Sequence, residues 1–178
     1  MRRNPLSKIL AACILFSMAI FPRSAEAVKK QALLVIDIQS AYVGLYPQQA
    51  FDAFLANVNN VIDQVSLSGM PIIYIRQEGG GEIYDKVHIK SSIEFEKTAE
   101  SAFTVDALND YLTDQNIKVL YLVGLDAAYC VSATAHVSVG RGYKTFVFGD
   151  AIITYQDWAE VKRYYEDIDL ISINSEQD

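Results

Sequence analysis

The stretch KVLYLVGL at residues 118–125 decides the fold. It is a short apolar run, which is typical of a strand that is covered on both faces, as the strands of parallel sheets are. A second run of this kind, ALLVIDI at residues 32–38, includes a carboxylate, Asp37, near its end. These two runs predict buried strands of one parallel sheet.

Helical patterns alternate with further strands around these two runs. From Phe51 the apolar residues recur at helical spacing, and Gly69 with Pro71 ends that helix. Further helices are predicted after an N-cap at Thr104, at residues 130–139 and at residues 157–166, and further strands at residues 71–76, 93–96, 144–148 and 170–173. Alternating strands and helices imply parallel pairing through right-handed crossovers. The sequence therefore predicts one α/β domain over residues 28–178, a three-layer α/β/α sandwich with a mostly parallel, Rossmann-like sheet.

The first 27 residues have the pattern of a signal peptide. Arg2, Arg3 and Lys8 form a basic start, residues 9–21 are apolar or small, and Ala25-Glu26-Ala27 (residues 25–27) is a small-x-small cleavage pattern. We expect cleavage after Ala27 and an exported protein, periplasmic or secreted. The apolar run is shorter than the roughly 20 residues that span a bilayer, so no membrane association is expected after cleavage.

Two other interpretations of this segment stay open. LAAC at residues 10–13 resembles a lipoprotein box, although there the hydrophobic run precedes the cysteine and here it follows. An uncleaved anchor is the second alternative.

Charge and cysteine content narrow the function classes. Loss of residues 1–27 removes four basic residues and one acid, and takes the net charge from −7 to about −10. Such an acidic chain without a basic cluster repels phosphate backbones, which excludes nucleic acid as an expected partner. Of the two cysteines, Cys13 leaves with the signal peptide, so Cys130 has no partner for an internal disulfide.

Polar residues follow three predicted strands, at the edge where open parallel sheets form their sites. Asp37 ends the first strand, Lys97 follows the third, and Cys130 begins a predicted helix after the fourth. Each has a structural alternative: a turn-forming acid, a solvated surface lysine and a buried inert thiol. A helix N-terminus favours the thiolate form of a cysteine, which makes Cys130 a candidate nucleophile. Tyr42 and Tyr129 are candidate pocket residues, with simple packing as the alternative.

Three blocks of sequence resemble those of the isochorismatase-like cysteine hydrolases, which include nicotinamidases, carbamoyl-amide hydrolases and isochorismatases. LLVIDIQ at residues 33–39 resembles the family's first strand with its catalytic aspartate, and KTAESAF at residues 97–103 is similar to its lysine block. VGLDAAYCV at residues 123–131 resembles the nucleophile block, and the likeness continues to residue 151. The order and spacing of the blocks agree across residues 32–151.

The resemblance implies a mechanism. Asp37 is expected to act as general base and acid, Lys97 to stabilise the thiolate, and Cys130 to form a covalent intermediate. The backbone N–H groups of Asp126 and Cys130 are the expected oxyanion donors, with a cis peptide between Leu125 and Asp126. The substrate is then a small molecule with an amide, ureido or related C–N bond. Family members are commonly oligomers, so a homo-oligomer is expected.

The sequence also departs from the family. Nicotinamidases bind a metal through an Asp-x-His pair, whereas Asp85 stands three positions before His88, and His136 is turned away from the first turn of its helix. We therefore expect no metal and no cofactor. Asp126 replaces a residue that is more often small or neutral, and its role stays open between repelling anions and binding a cationic group.

Two alternative functions remain. An isochorismatase-type vinyl-ether hydrolase makes no use of a cysteine nucleophile, and a catalytically silent binding module needs none of the three polar residues. A redox role for Cys130 ranks below both because the mature chain has no resolving cysteine.

Overall fold

The structure is a computed structural model that describes residues 31–173. The predicted signal peptide and its cleavage site lie outside the described residues. Within residues 31–173, no helix is both long and apolar enough to cross a membrane.

Six parallel strands form one sheet in the order β3-β2-β1-β4-β5-β6. They are β1 (Gln31–Ile36), β2 (Ile72–Gln77), β3 (Glu94–Lys97), β4 (Val119–Leu125), β5 (Lys144–Ile153) and β6 (Asp169–Ile171). The strand order reverses between β1 and β4, and in open α/β sheets such a switch point is where ligands bind. The predicted α/β sandwich with a parallel sheet is confirmed.

Helices cover both faces of the sheet. They are α1 (Gln48–Ser68), α2 (Asp106–Asp114), α3 (Ser132–Gly140) and α4 (Trp158–Val161). Shorter 3₁₀ turns occupy Ser40–Leu45, Ala102–Thr104 and Lys162–Tyr165, and a π-helical turn occupies Ala127–Val131. Because side chains alternate across a strand, Leu33 and Val35 of β1 pack with α1, whereas Leu34 and Ile36 face the core formed with α2 and α3.

Some predicted boundaries were wrong. Thr104 is no helix N-cap: its hydroxyl donates to the Ser101 carbonyl O, and Val105 precedes α2 without a side-chain cap. The helix predicted from Cys130 begins as α3 only at Ser132, after the π-helical turn. The helix predicted at residues 157–166 is a short α-helix followed by a 3₁₀ turn. β5 runs five residues beyond its predicted end because it continues through a register shift against β4.

Gly124 allows β4 to pass very close to β1 at the switch point. It pairs with Ile36 and has a φ of +133°, and an added Cβ would lie 2.1 Å from the Ile36 carbonyl O. No other residue type fits this contact, so the close approach of the two central strands depends on glycine.

Replacing Gly124 by alanine is therefore expected to lower the free energy of unfolding by about 2 kcal/mol or more. Urea unfolding followed by circular dichroism measures this. Gly140→Ala is the matched control because a Cβ there meets nothing within 4 Å, and we expect its stability to stay within about 0.5 kcal/mol of the parent. Equal unfolding midpoints for the two variants would contradict the role assigned to Gly124.

Candidate active site

The structure brings the three predicted residues together at the carboxyl edge of the sheet. Lys97 Nζ lies 2.7 Å from Asp37 Oδ2 and donates to Cys130 Sγ at 3.3 Å. It also donates to Gln77 Oε1 at 2.7 Å. One ammonium group thus joins the carboxylate, the thiol and an amide oxygen. We call these four residues the Lys97 cluster.

The sheet topology explains why residues so distant in sequence meet. Asp37 directly follows β1, Cys130 lies in the turn after β4, and these two strands are neighbours. Lys97 ends β3 and pairs in register with Gln77 at the end of β2. The lysine side chain must therefore pass the end of β2 to reach Asp37, and Gln77 lies on that path.

Lys97 is a buried charge with a full set of acceptors. Its side chain is 1% exposed, and its three contacts match the three N–H groups of an ammonium. A buried charge is strongly destabilising unless it is paired and hydrogen-bonded. Sequence reasoning missed Gln77, although its place at the end of a strand on the same edge was a usable signal.

Asp37 has the environment of a proton acceptor. Burial raises the pKa of its carboxyl above the ordinary value, and the nearby Lys97 and Cys130 side chains act in the opposite direction. The Cys130 thiol is also a hydrogen-bond partner of this carboxyl group. A carboxylate with a raised pKa beside a thiol suits a general base.

The surroundings of Cys130 favour the protonated thiol, in contrast to the ionised form favoured by the sequence argument. Burial raises its pKa to about 12, the adjacent Asp37 carboxylate adds to this, and Lys97 offsets only part of it. The helix-terminus argument failed because desolvation and a neighbouring negative charge both disfavour a thiolate. Cys130 therefore needs a base, and Asp37 is beside it.

The turn that carries Cys130 contains the expected cis peptide between Leu125 and Asp126, which is confirmed. Asp126 O accepts from the N–H groups of Tyr129 and Val131, and the second of these bonds closes a π-helical turn. Such turns are frequent at functional sites. None of these bonds uses the N–H of Asp126 or Cys130, the two predicted oxyanion donors.

The carboxylate of Asp126 is a structural acceptor for three groups. Its Oδ1 accepts from the Ala128 N–H at 2.7 Å, and its Oδ2 accepts from the Tyr46 hydroxyl at 3.1 Å and the Tyr155 N–H at 3.3 Å. The side chain is 8% exposed. These contacts hold the turn together, and the choice between repelling anions and binding a cationic group stays open.

A second buried tyrosine holds the same turn from the opposite face of the sheet. The Tyr165 hydroxyl donates to the Ala127 carbonyl O at 2.5 Å, and Tyr165 is 2% exposed. Tyr46 and Tyr165 thus fix two successive residues of the turn. Sequence reasoning identified neither, because both come from segments without a recognisable motif.

Of the two predicted pocket residues, the structure places Tyr42 close to the Lys97 cluster. Tyr42 is half-buried, and its pKa is raised by burial and by the charges of Asp37 and Cys130. The Tyr129 ring is exposed and lies 6.1 Å from that of Tyr155, which lies 6.3 Å from that of Tyr46. We call Tyr46, Tyr129 and Tyr155 the tyrosine wall.

Hydrogen bonds join the Gly-rich segment after β2 to Gln39, which follows β1. Gln39 is fully buried, donates to the carbonyl O atoms of Gln77 and Gly81, and accepts from the Gln77 N–H. A Cβ on Gly80 would lie 2.7 Å from the Gln39 side chain, so glycine lets the loop pass closely. The loop is therefore anchored where it leaves the site.

The remaining polar groups lie apart from the Lys97 cluster. Over residues 31–173, no group of three or more His, Cys, Asp or Glu side chains is placed to hold a metal ion, and His88 pairs with Asp63. A cavity of about 240 Å³ opens beneath the loop and is lined by Tyr74, Glu82, Ile83, Ile89, Ser91, Ser92 and Glu94. It includes no member of the cluster.

Comparison with known proteins identifies the family. The Isochorismatase domain model matches residues 31–162. Streptothricin hydrolase of Streptomyces noursei is 27% identical over 147 residues, which cover 75% of this chain and 58% of that protein. The secreted isochorismatase effector Isc1 of Verticillium dahliae is 25% identical over 150 residues, covering 76% and 79%.

A solved structure agrees in fold. The N-carbamoylsarcosine amidase from Thermoplasma acidophilum has a TM-score of 0.73 at 24% identity, covering 84% of this chain and 99% of that one. The chain spans 58% of the length of the streptothricin hydrolase that it matches. On the family match, the chain belongs to the isochorismatase family, within the isochorismatase-like hydrolase superfamily.

Proposed function

We propose that this protein is an exported cysteine hydrolase that cleaves amide, ureido or related C–N bonds of small molecules. The observation that carries the proposal is the position of Lys97 Nζ, 2.7 Å from Asp37 Oδ2 and 3.3 Å from Cys130 Sγ. A nucleophile, a base and a cation in contact at a strand edge are the groups that acyl transfer needs.

The first half of the reaction forms an acyl-enzyme. Asp37 takes the proton of the Cys130 thiol, and the sulfur attacks the carbonyl carbon, so that an S–C bond forms and the C=O electron pair moves to oxygen. When the C–N bond breaks, the leaving nitrogen takes the proton from Asp37. The raised pKa of Asp37 favours both transfers, because the carboxyl then holds a proton at a pH closer to neutral.

The second half releases the product. Asp37 takes a proton from water, whose oxygen attacks the thioester carbon, and the S–C bond then breaks. The departing sulfur recovers the proton from Asp37, which restores the resting thiol and carboxylate. Lys97 remains an ammonium throughout and stabilises whichever of the two neighbouring groups is negative.

The oxyanion of each tetrahedral intermediate needs donors on the nucleophile turn. We assign this role to the N–H groups of Asp126 and Cys130, since neighbouring amides of the turn are used by Asp126 itself. Fixed donors act without reorganisation during the reaction. The hydroxyls of Tyr46 and Tyr165 hold this turn in place.

The Lys97 cluster favours this chemistry over both alternatives. Vinyl-ether hydrolysis makes no use of a thiol, whereas here a buried ammonium donates directly to Cys130 Sγ. A binding module has no need of a desolvated ion pair, which is costly to bury. The relative named N-carbamoylsarcosine amidase is consistent with cleavage of a C–N bond.

Export is supported by the signal pattern of residues 1–27 and by the relative named a secreted effector. Assembly into a homo-oligomer stays a prediction, as does independence from metals and cofactors.

Cys130→Ala is expected to reduce the turnover of amide substrates by about 10³-fold or more, because it removes the thiol that forms the acyl-enzyme. Release of ammonia or amine from a panel of small carboxamides and ureido compounds measures this. His136→Ala on the exposed face of α3 is the control, and it should keep full activity. Equal release by the parent protein and Cys130→Ala would defeat the covalent mechanism.

The pH dependence of thiol alkylation is expected to report the raised pKa of Cys130. Labelling by iodoacetamide should be slow at pH 7 and rise steadily beyond pH 9, since the thiol pKa is about 12. Asp37→Asn removes a charge that raises this pKa, so this variant should label faster at neutral pH although it is inactive. Labelling of Cys130→Ala gives the background from Cys13. Rapid labelling of the parent at pH 7, unchanged in Asp37→Asn, would contradict the assignment.

Export predicts a defined N-terminus. When the full chain is expressed in a bacterium, the protein recovered outside the cytoplasm is expected to begin at Val28 by N-terminal sequencing. A chain without residues 2–27 should stay in the cytoplasm. Retention of residues 1–27 on exported protein would instead support the anchor or lipoprotein alternatives.

A further inference from the structure

The Lys97 cluster offers a substrate no free cation. The three N–H groups of Lys97 are directed to Asp37, Gln77 and Cys130, and its side chain is buried. An ammonium has three donors, so this set leaves none for a carboxylate or phosphate on the substrate. An anionic group near Cys130 would also lie close to the charge of Asp37.

Five other described cations have their contacts outside the Lys97 cluster. Arg76 pairs with Glu94 and Glu96, and Lys90 pairs with Asp63. Three cation–π contacts place Lys86 over Tyr84, Arg141 over Phe103 and Lys144 over Phe146. The charged groups of these five side chains are therefore paired with residues outside the Lys97 cluster.

The tyrosine wall offers aromatic rings to a substrate near the Lys97 cluster. The tyrosine wall runs from the buried Tyr46 through Tyr155 to Tyr129, and the last two rings are 54% and 38% exposed. Tyr46 is the ring of the wall that lies close to the nucleophile, since the charge of Cys130 is among the causes that raise the pKa of Tyr46. Exposed aromatic faces attract ammonium and guanidinium groups through the negative charge of the ring face.

Negative charge lies behind the wall. The buried Asp126 carboxylate accepts from the Tyr46 hydroxyl and from the Tyr155 N–H. The pKa of Tyr46 is raised by burial and by the charge of Asp126, which is the sign expected when a ring lies in a negative potential. The whole chain carries a net charge of −7, which adds long-range attraction for positive ligands.

We infer that the substrate carries a positive charge, an ammonium or guanidinium group that packs on the tyrosine wall while its amide carbon reaches Cys130. This inference rests on the proposed function. It selects one class among the small amides and ureido compounds, and it excludes substrates that bind through a carboxylate. It also gives Asp126 a role beyond holding the turn, since its charge favours a cation on the wall.

A matched series of amides tests the inference. Three primary amides on one benzyl scaffold carry a trimethylammonium, a tert-butyl or a carboxylate group at the same position. The first two groups have nearly the same shape, so their comparison isolates charge. We expect kcat/KM for the cation to exceed that for the tert-butyl amide by about tenfold, as one or two cation–π contacts provide. The carboxylate should be the poorest of the three.

Variants of the wall locate the effect. Tyr155→Leu and Tyr129→Leu keep an apolar surface and remove the ring, so each should reduce the preference for the cation over the tert-butyl amide at least threefold. Tyr164→Leu replaces another exposed tyrosine, outside the wall, and should leave the preference unchanged. A preference that is equal in all three variants would overturn the assignment to the wall, as would a carboxylate amide that is the best substrate.

A binding measurement separates failure of this inference from failure of the proposed function. Benzyltrimethylammonium lacks an amide, and calorimetry with the full chain should show that it binds the parent more tightly than Tyr155→Leu. The hydrolase proposal fails if the protein cleaves no amide, or if Cys130→Ala cleaves the amides as fast as the parent. In either case, the difference in benzyltrimethylammonium binding between the parent and Tyr155→Leu still tests the cation site. Equal binding by the parent and Tyr155→Leu would overturn it.

Discussion

The site depends on the burial of one positive charge. Lys97 is buried at the edge of the sheet, and Asp37, Gln77 and Cys130 are the acceptors that residues 31–173 provide for its ammonium. Loss of any one acceptor leaves a buried donor without a partner, which costs more than the contact itself contributes. The positions of base, nucleophile and loop are therefore linked, because Gln77 also bonds to Gln39, which anchors the Gly-rich segment.

The nucleophile turn is held from both faces of the sheet. Tyr46, from the layer of α1, donates to Asp126, and Tyr165, from the opposite layer, donates to Ala127. Gly124 at the end of β4 lets this strand approach β1, which brings the turn close to Asp37. The position of the turn thus depends on packing of both layers, and a loosened core on either side would displace the N–H groups that the proposed function assigns to the oxyanion.

The sequence predicted the sheet and the three central residues because each signal was local. Apolar runs marked the strands, and strand ends marked Asp37, Lys97 and Cys130. Thr104 and the helix start at Cys130 were wrong, because a 3₁₀ turn and a π-helical turn are decided by tertiary contacts, not by capping patterns. Gln77 stood at the end of a strand on the same edge and was overlooked. Tyr46 and Tyr165 could not be ranked among similar residues, since only folding brings them to the site. The pKa of Cys130 was misjudged for the same reason: burial and the adjacent carboxylate follow from the fold.

A thiol that is protonated at rest is also less open to oxidation than a thiolate. Oxidants react with the thiolate form of cysteine, so a permanent thiolate at Cys130 would be open to oxidation. In the proposed mechanism, the same Asp37 charge that raises the pKa of the thiol at rest is the base that removes its proton when substrate is bound. Because the proton would move only between two neighbouring groups, the net charge of the Lys97 cluster would be unchanged by thiolate formation. The buried ammonium would then remain paired in both states, and the nucleophile would exist only for the duration of the proposed reaction.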